Sequence, residues 1–317
     1  MNQFYSKTTT LADYFLHWMQ TFRKPVVSYV TYVKYQNTHR QIQEFFGEKT
    51  LETINRVSYQ KVLNEYAKTH SKLTTACFHK QIRASLLDAV DEQIILVDPT
   101  RKAIVTGKNK VNRKSKYLNL ADWQKIVNYT SENLTANNMN LIIYLSAVTG
   151  MRYAEVLGLT WNDIHFKSNQ IHVNKTWDYK YHTGFQATKN YSSIRFIDID
   201  EHTVKNLALL YKNEHTKLNS TQLICANSCG SVPASMTINR YLQNLCQKLE
   251  IDIISFHGLR HTHASILLFK GVNIMTVSRR LGHSNTTTTQ AIYLHLIREM
   301  EARETDLVLG FLNEALA

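Results

Sequence analysis

The chain has 317 residues, 44% of them hydrophobic, with only three prolines and a formal net charge of +12. That length supports two domains with cores of their own, and the surplus of lysine and arginine implies a polyanionic partner, most simply nucleic acid. The absence of any apolar run of about 18 residues argues against a membrane span, and no signal-peptide pattern opens the chain.

Residues 1–8 read as a disordered lead. Over 9–22, Leu11, Tyr14, Phe15, Trp18 and Met19 recur at helical spacing, predicting an amphipathic helix stopped by Pro25. Ser28 is placed to cap a second helix that runs to Phe46 and ends at Gly47. A third is expected over 59–67 and a fourth over 74–94, where Phe78, Ile82, Leu86 and Val90 fall in register. Four helices within residues 1–99 predict a small bundle whose aromatic stripe is core rather than a platform for stacking bases. Tyr32, Lys34, Tyr35, His39 and Arg40, with His79, Lys80 and Arg83, form polar faces that meet either DNA or only solvent.

Asp98-Pro99 ends the bundle. Residues 100–117 then carry Arg101, Lys102, Lys108, Lys110, Arg113, Lys114 and Lys116 with no acidic residue, and read as a basic interdomain linker. Cations strung along a linker suit phosphate contacts, which position a protein on a duplex without reading its sequence.

Residues 118–317 form the second domain. Helices are expected over 121–129 and 139–148, after which Gly150 turns the chain and Arg152 opens a short helix whose first N–H groups also favour phosphate. Residues 171–177 and 193–199 read as strands joined by a polar hairpin tip, followed by helices over 201–215 and 236–249. The fold class is therefore mainly α with a small antiparallel β-sheet. A helix over 257–269 brings His257, Arg260 and His261 within one turn. Gly271 ends it, Gly282 makes the turn that presents His283, and the polar stretch 285–289 tethers Tyr293 between Ile292 and Leu294. The tail is charged from Arg298 to Glu304 and apolar over 307–312, a pattern suited to docking on its own domain or a neighbour.

Two arginines, two histidines and a tyrosine are what is required to attack a phosphodiester without a metal. A tyrosine hydroxyl can attack phosphorus and split one difficult step into two. Guanidinium forks match phosphate oxygens bidentately and meet charge that develops in the transition state. Histidines donate hydrogen bonds or move protons near neutral pH. Cys77, Cys225, Cys229 and Cys246 lack the paired spacing of a zinc site, so the chain reads as reduced, cytoplasmic and free of metal and cofactor.

Thr149-Gly-Met-Arg152-Tyr-Ala-Glu155-Val-Leu-Gly-Leu159, His257-Gly-Leu-Arg260-His-Thr-His-Ala264, Leu281-Gly-His283 and Tyr293 resemble the boxes of the tyrosine recombinase (phage integrase) family, over roughly residues 118–300. The resemblance implies that Tyr293 is the nucleophile, Arg152 and Arg260 the phosphate clamp, and His257 and His283 the proton-handling pair, with Glu155 in support. Ala187-Thr-Lys189-Asn-Tyr-Ser-Ser193-Ile-Arg195-Phe-Ile197 resembles the hairpin box whose lysine protonates the leaving 5′ oxygen, which points to Lys189, with Lys175 and Lys180 as alternatives. Asp198 stands where many relatives carry proline, and Asn190 where threonine is common.

The family's N-terminal bundle binds the core site from the opposite side of the duplex. Its members act on double-stranded DNA sites through a 3′-phosphotyrosine and a Holliday junction, as tetramers that exchange C-terminal segments, in some cases with accessory DNA-bending or excision proteins. The loosely kept lysine box and the Asn/Lys/Tyr-rich composition favour the integrase of a phage or an integrative or conjugative element. Only about eight residues precede the first helix, where many such integrases carry an arm-binding domain; that favours an Xer-type dimer-resolving recombinase or a truncated chain. A non-cleaving DNA-binding protein of the same fold and a type IB topoisomerase are the remaining alternatives.

Overall fold

The computed structural model describes residues 6–108, 117–188, 190–214, 222–227 and 229–285, with Gln290 and Glu314. The chain divides into two compact units, residues 1–111 and 112–317. Among the described residues no helix is long and apolar enough to cross a membrane.

The first unit holds α1 (Leu11–Trp18), α2 (Tyr29–Phe46), α3 (Arg56–Thr69) and α4 (Lys72–Asp91). Thr10 starts α1 by accepting the Asp13 N–H at 3.1 Å. The helix expected over 9–22 changes character after Trp18, widening into a π-type turn over Met19–Arg23 with Trp18 and Met19 both buried. Ser28 occupies the cap position of α2 without a capping bond, and Gly47 closes that helix at φ +55°. α3 begins earlier than its apolar spacing suggested because Asn55 and Ser58 form a reciprocal cap. Tyr14, Phe15, Trp18, Phe46, Tyr59, Tyr66 and Phe78 are core, and Tyr66 stacks on His70 at 3.8 Å and Phe78 at 4.2 Å. The aromatic stripe is thus interior and cannot stack on bases.

The basic segment begins as part of this unit rather than as a free linker. Ala103 and Val105 lie against the core. The Gln60 amide both donates to and accepts from Ile104 backbone at 2.9 Å, and Lys108 N–H donates to the His70 carbonyl at 2.7 Å. Lys110, Arg113, Lys114 and Lys116 lie outside the described residues.

The second unit is built on α5 (Leu120–Glu132) and α6 (Asn138–Thr149), the latter apolar and buried on almost every side. α7 (Tyr153–Leu157) follows, then five short strands: β1 (Ile164–His165), β2 (Gln170–Val173), β3 (Lys175–Trp177), β4 (Phe185–Ala187) and β5 (Arg195–Asp198). They form one antiparallel sheet in the order β1-β2-β5 and a separate β3–β4 hairpin. The single strand expected over 171–177 is therefore two. The break falls where the Asn174 amide donates to Asp163 at 3.1 Å, pulling the chain out of the first sheet. In β5, Arg195 and Ile197 point inward while Phe196 and Asp198 point out. The chain continues through α8 (Glu201–Glu214), α9 (Ser235–Lys248), α10 (Phe256–Phe269) and α11 (Ile274–Leu281). The last of these was not expected; Asn273 caps it by accepting the Met275 N–H at 2.8 Å.

Candidate active site

Gly150 ends α6 at φ +69°, and a Cβ there would sit 2.6 Å from Leu281 Cδ2 and 2.8 Å from His263 Cδ2. Only glycine lets the chain turn this tightly against α10 and α11. The turn makes Arg152 the residue that precedes α7. Glu155, three residues on, reaches back to accept from Arg152 N–H at 2.9 Å and Arg152 Nη1 at 2.7 Å. Arg152 Nη2 donates to the Gly282 carbonyl at 3.0 Å, and Nη1 to Ser193 Oγ at 3.3 Å.

α10 starts at the Ser255 cap, whose hydroxyl accepts the Gly258 N–H at 3.2 Å. Arg260, one turn in, is 2% exposed; its Nη1 donates to the Gly150 carbonyl at 2.8 Å and its Nη2 to the Leu281 carbonyl at 2.7 Å. His257 lies edge-on to His261 with ring centres 4.7 Å apart. α11 ends at Gly282, φ +68°, after which the His283 N–H donates to the Ser278 carbonyl at 3.1 Å.

A second layer supports these groups. Arg195 donates through Nε to the Arg280 carbonyl at 2.6 Å, through Nη1 to the Ser193 carbonyl at 2.8 Å, and through Nη2 to Glu155 at 3.0 Å. Arg280 donates to His263 Nε2 at 3.0 Å and to the Asp198 carbonyl at 2.8 Å. Because His263 Nε2 accepts from Arg280, its proton sits on Nδ1 and donates to the Ala147 carbonyl at 3.0 Å.

Among the described residues, the charges at the site do not balance. Arg152, Arg195 and Arg260 share one buried carboxylate, Glu155. Burial pushes that carboxyl upward, but Arg195 and Arg152 outweigh burial and hold it below the ordinary carboxylate value. Burial, then Arg152, presses Arg260 down to about 9, so it still carries its charge at neutral pH. His257 is lowered to about 4 by desolvation, then by His261, Arg260 and Arg152. His283 is lowered to about 4 by desolvation, then by Arg260, Arg152, Arg195 and His261. Both imidazoles are thus neutral at working pH, each with one N–H and one lone pair. Surplus guanidinium charge beside neutral imidazoles is suited to receiving an anion and exchanging protons with it.

With His257 and His283, His263 is expected to make the second unit acid-sensitive. Burial, then Arg280, lowers it from 6.5 to about 3, so its neutral form is favoured by the fold. That contribution is fully present above pH 6.5 and is lost as pH falls through the folded value. At 1.36 kcal/mol per unit, acidifying from pH 6.5 to 4 removes about 3 kcal/mol through this group. Calorimetry should show melting of the second unit falling over that window, with a shallower slope in His263→Asn. An equal slope would assign the acid sensitivity elsewhere.

Of the residues the sequence singled out, Arg152, Glu155, His257, Arg260 and His283 come together here. Lys189 and Tyr293 lie outside the described residues; the flanking Thr188 hydroxyl donates to the Asn190 carbonyl at 3.1 Å. Of the alternatives to Lys189, Lys175 is committed to the buried Asp163 carboxylate, and Lys180 is exposed on the β3–β4 turn. Lys34, Arg40, Lys80, Arg101, Lys102 and Lys108 are exposed on the first unit. Arg83 differs: it pairs with Asp98 and donates to Thr100 at 2.8 Å, tying the middle of α4 to the chain that follows the helix. Tyr32 is buried and His79 bonds to Tyr59 at 2.9 Å, so neither belongs to an open face. Among the described residues no group of three or more His, Cys, Asp or Glu side chains could share a metal ion. Sequence reasoning passed over Ser193, Arg195 and Arg280; His263, expected to be structural rather than catalytic, is buried and bonded on both ring nitrogens.

Residues 116–300 match the phage integrase family, and residues 10–67 match its N-terminal SAM-like domain. A XerC-like tyrosine recombinase of Caldanaerobacter subterraneus is 26% identical, over 94% of this chain and 82% of that protein. The Tn1549 transposon integrase, solved with transposon right end DNA, shares the fold with a TM-score of 0.75 at 18% identity, over 93% of this chain and 99% of that one. A lambda integrase tetramer bound to a Holliday junction gives 0.65 at 18% identity, over 90% of this chain and 77% of that one.

Proposed function

The chain belongs to the phage integrase family, and from that premise we propose that it is a site-specific DNA recombinase, the integrase of a phage or an integrative or conjugative element. The observation that carries this reading is the surplus of guanidinium charge at Arg152 and Arg260 beside two neutral histidines. A phosphodiester supplies the missing negative charge. Desolvation is the larger cause of the lowering of His257 and His283. The entering anion offsets the part that comes from the cations, so both imidazoles move upward, towards the range where they exchange protons.

Tyr293 Oη attacks phosphorus and loses its proton to the histidine pair. The bond from phosphorus to the 5′ oxygen breaks, Lys189 protonates that oxygen, and a 3′-phosphotyrosine remains. Arg152 and Arg260 hold the non-bridging oxygens, where charge builds in the transition state. The new ester conserves the bond energy, so a 5′-hydroxyl from a partner duplex attacks it in turn and no ATP is consumed. Two exchanges through a Holliday junction complete the reaction, with four protomers, their C-terminal segments exchanged, on two double-stranded sites. Accessory DNA-bending or excision proteins fit an element-borne integrase. The exposed cations Lys34, Arg40, Lys80, Arg101, Lys102 and Lys108, with Lys110, Arg113, Lys114 and Lys116, supply backbone contacts.

A second reading, resolution of chromosome or plasmid dimers, is favoured by the XerC-like relative that spans most of the chain. Nicked duplexes tiling the DNA around the coding sequence, and around the replication terminus, separate the two. The integrase reading predicts a denaturant-resistant protein–DNA adduct on the first set, formed without metal or nucleotide. Adducts confined to the second set would favour dimer resolution, and adducts on neither would sink the recombinase reading.

A further inference from the structure

Three guanidinium groups converge on the last turn of α11. Arg195 Nε donates to the Arg280 carbonyl at 2.6 Å, Arg260 Nη2 to the Leu281 carbonyl at 2.7 Å, and Arg152 Nη2 to the Gly282 carbonyl at 3.0 Å. The acceptors are consecutive. A helix end leaves its final carbonyls without partners inside the helix and carries the negative end of its dipole, so it suits cationic donors. The next residue in the chain is His283.

Two of the three donors belong to the phosphate clamp; Arg195 does not. It occupies an inward position of β5, opposite Val173, where a charge is costly unless paired. Its remaining bonds join three further parts of the site. Nη2 meets Glu155, the carboxylate that also holds Arg152, and Nη1 meets the Ser193 carbonyl in the turn that follows Lys189. Gly282 lies so close that a Cβ there would sit 3.0 Å from Arg195 Nη1 and 3.1 Å from Ser193 Cα. One side chain therefore ties the chain after Lys189, the carboxylate under Arg152 and the turn before His283 to a single point.

We propose that Arg195 is a positioning residue for strand cleavage, holding Arg152 and His283 in register by bridging the Arg280 carbonyl, the Ser193 carbonyl and Glu155. This rests on the recombinase reading above. The guanidinium is needed for its shape as well as its charge, because an ammonium cannot span three acceptors in a fixed fork. Displacing a catalytic group by about 1 Å costs on the order of 10²-fold in rate without touching the groups that bind substrate.

The test compares wild type, Arg195→Lys and Arg195→Gln in the full chain. Adduct formation at saturating protein and Kd are measured on the nicked duplex that wild type cleaves, and the His283 imidazole is titrated by NMR in the free protein. The expected result is an adduct rate about 10²-fold lower in both variants with Kd unchanged. Desolvation, then Arg260 and Arg152, do most to hold the His283 midpoint down; Arg195 adds to them with His261, so the midpoint should also rise in Arg195→Gln. A wild-type rate in both variants, or rate and affinity falling in parallel, overturns the proposal. Should wild type form no adduct on any duplex, the recombinase reading has failed; the titration still tests whether Arg195 acts on His283, and an unmoved midpoint overturns the proposal.

Discussion

Arg260→Lys is expected to slow formation of the covalent DNA adduct by about 10³-fold while leaving DNA affinity nearly unchanged. Arg260 is 2% exposed, and its two terminal nitrogens each hold a carbonyl, Gly150 on one side and Leu281 on the other. A lysine ammonium at the end of a flexible stem satisfies one of these, leaving a buried carbonyl without a donor at a cost of about 1–3 kcal/mol. The fork that would grip two phosphate oxygens is lost as well. Removing one donor from a developing oxyanion typically costs about 10²–10³ in rate, and the loosened α11 turn adds to that. Affinity is carried mainly by many backbone contacts whose counterion release does not depend on this residue. Single-turnover adduct formation and anisotropy at one fixed salt concentration read the two quantities separately. A rate within about tenfold of wild type would show that this guanidinium does not stabilise the reacting phosphate.

Much of the fold was legible because its signals are local. α2, α6 and α10 follow from apolar spacing bounded by Ser28 and Gly47, by Gly150, and by Gly271. Gly150 and Gly282 announced the turns that present Arg152 and His283, and both adopt positive φ. α11 was missed although Ile274, Val277 and Leu281 recur at helical spacing, because it is only eight residues long and its cap, Asn273, was not weighed. β3 was merged with β2 because the break between them depends on Asp163, which is far from Asn174 in local sequence terms.

The site shows the same division. Arg152 with Glu155, and His257 with Arg260, lie within one turn of each other and could be read directly. Arg280 and His263 meet only when α10 and α11 pack, so no local pattern reports their bond. Arg83 looked like part of a basic face until Asp98 and Thr100 turned out to be its partners. Arg195 did leave a signal. In β5 the alternation puts it on the inner face with Ile197, and a charge at an inward strand position needs a buried partner. Lys189, in the same stretch, drew the attention instead.

Tyr293→Phe removes one oxygen and leaves an apolar ring of nearly the same shape, so fold and DNA binding should be untouched while the attacking atom is gone. The most direct test of strand cleavage through Tyr293 is to incubate wild type and this variant with the same nicked duplexes, without metal or nucleotide, and to digest any adduct for mass spectrometry. The prediction is an adduct in wild type alone, its nucleotide attached to the peptide that contains Tyr293. An adduct that persists in Tyr293→Phe would contradict this and place the nucleophile on another of the seventeen tyrosines.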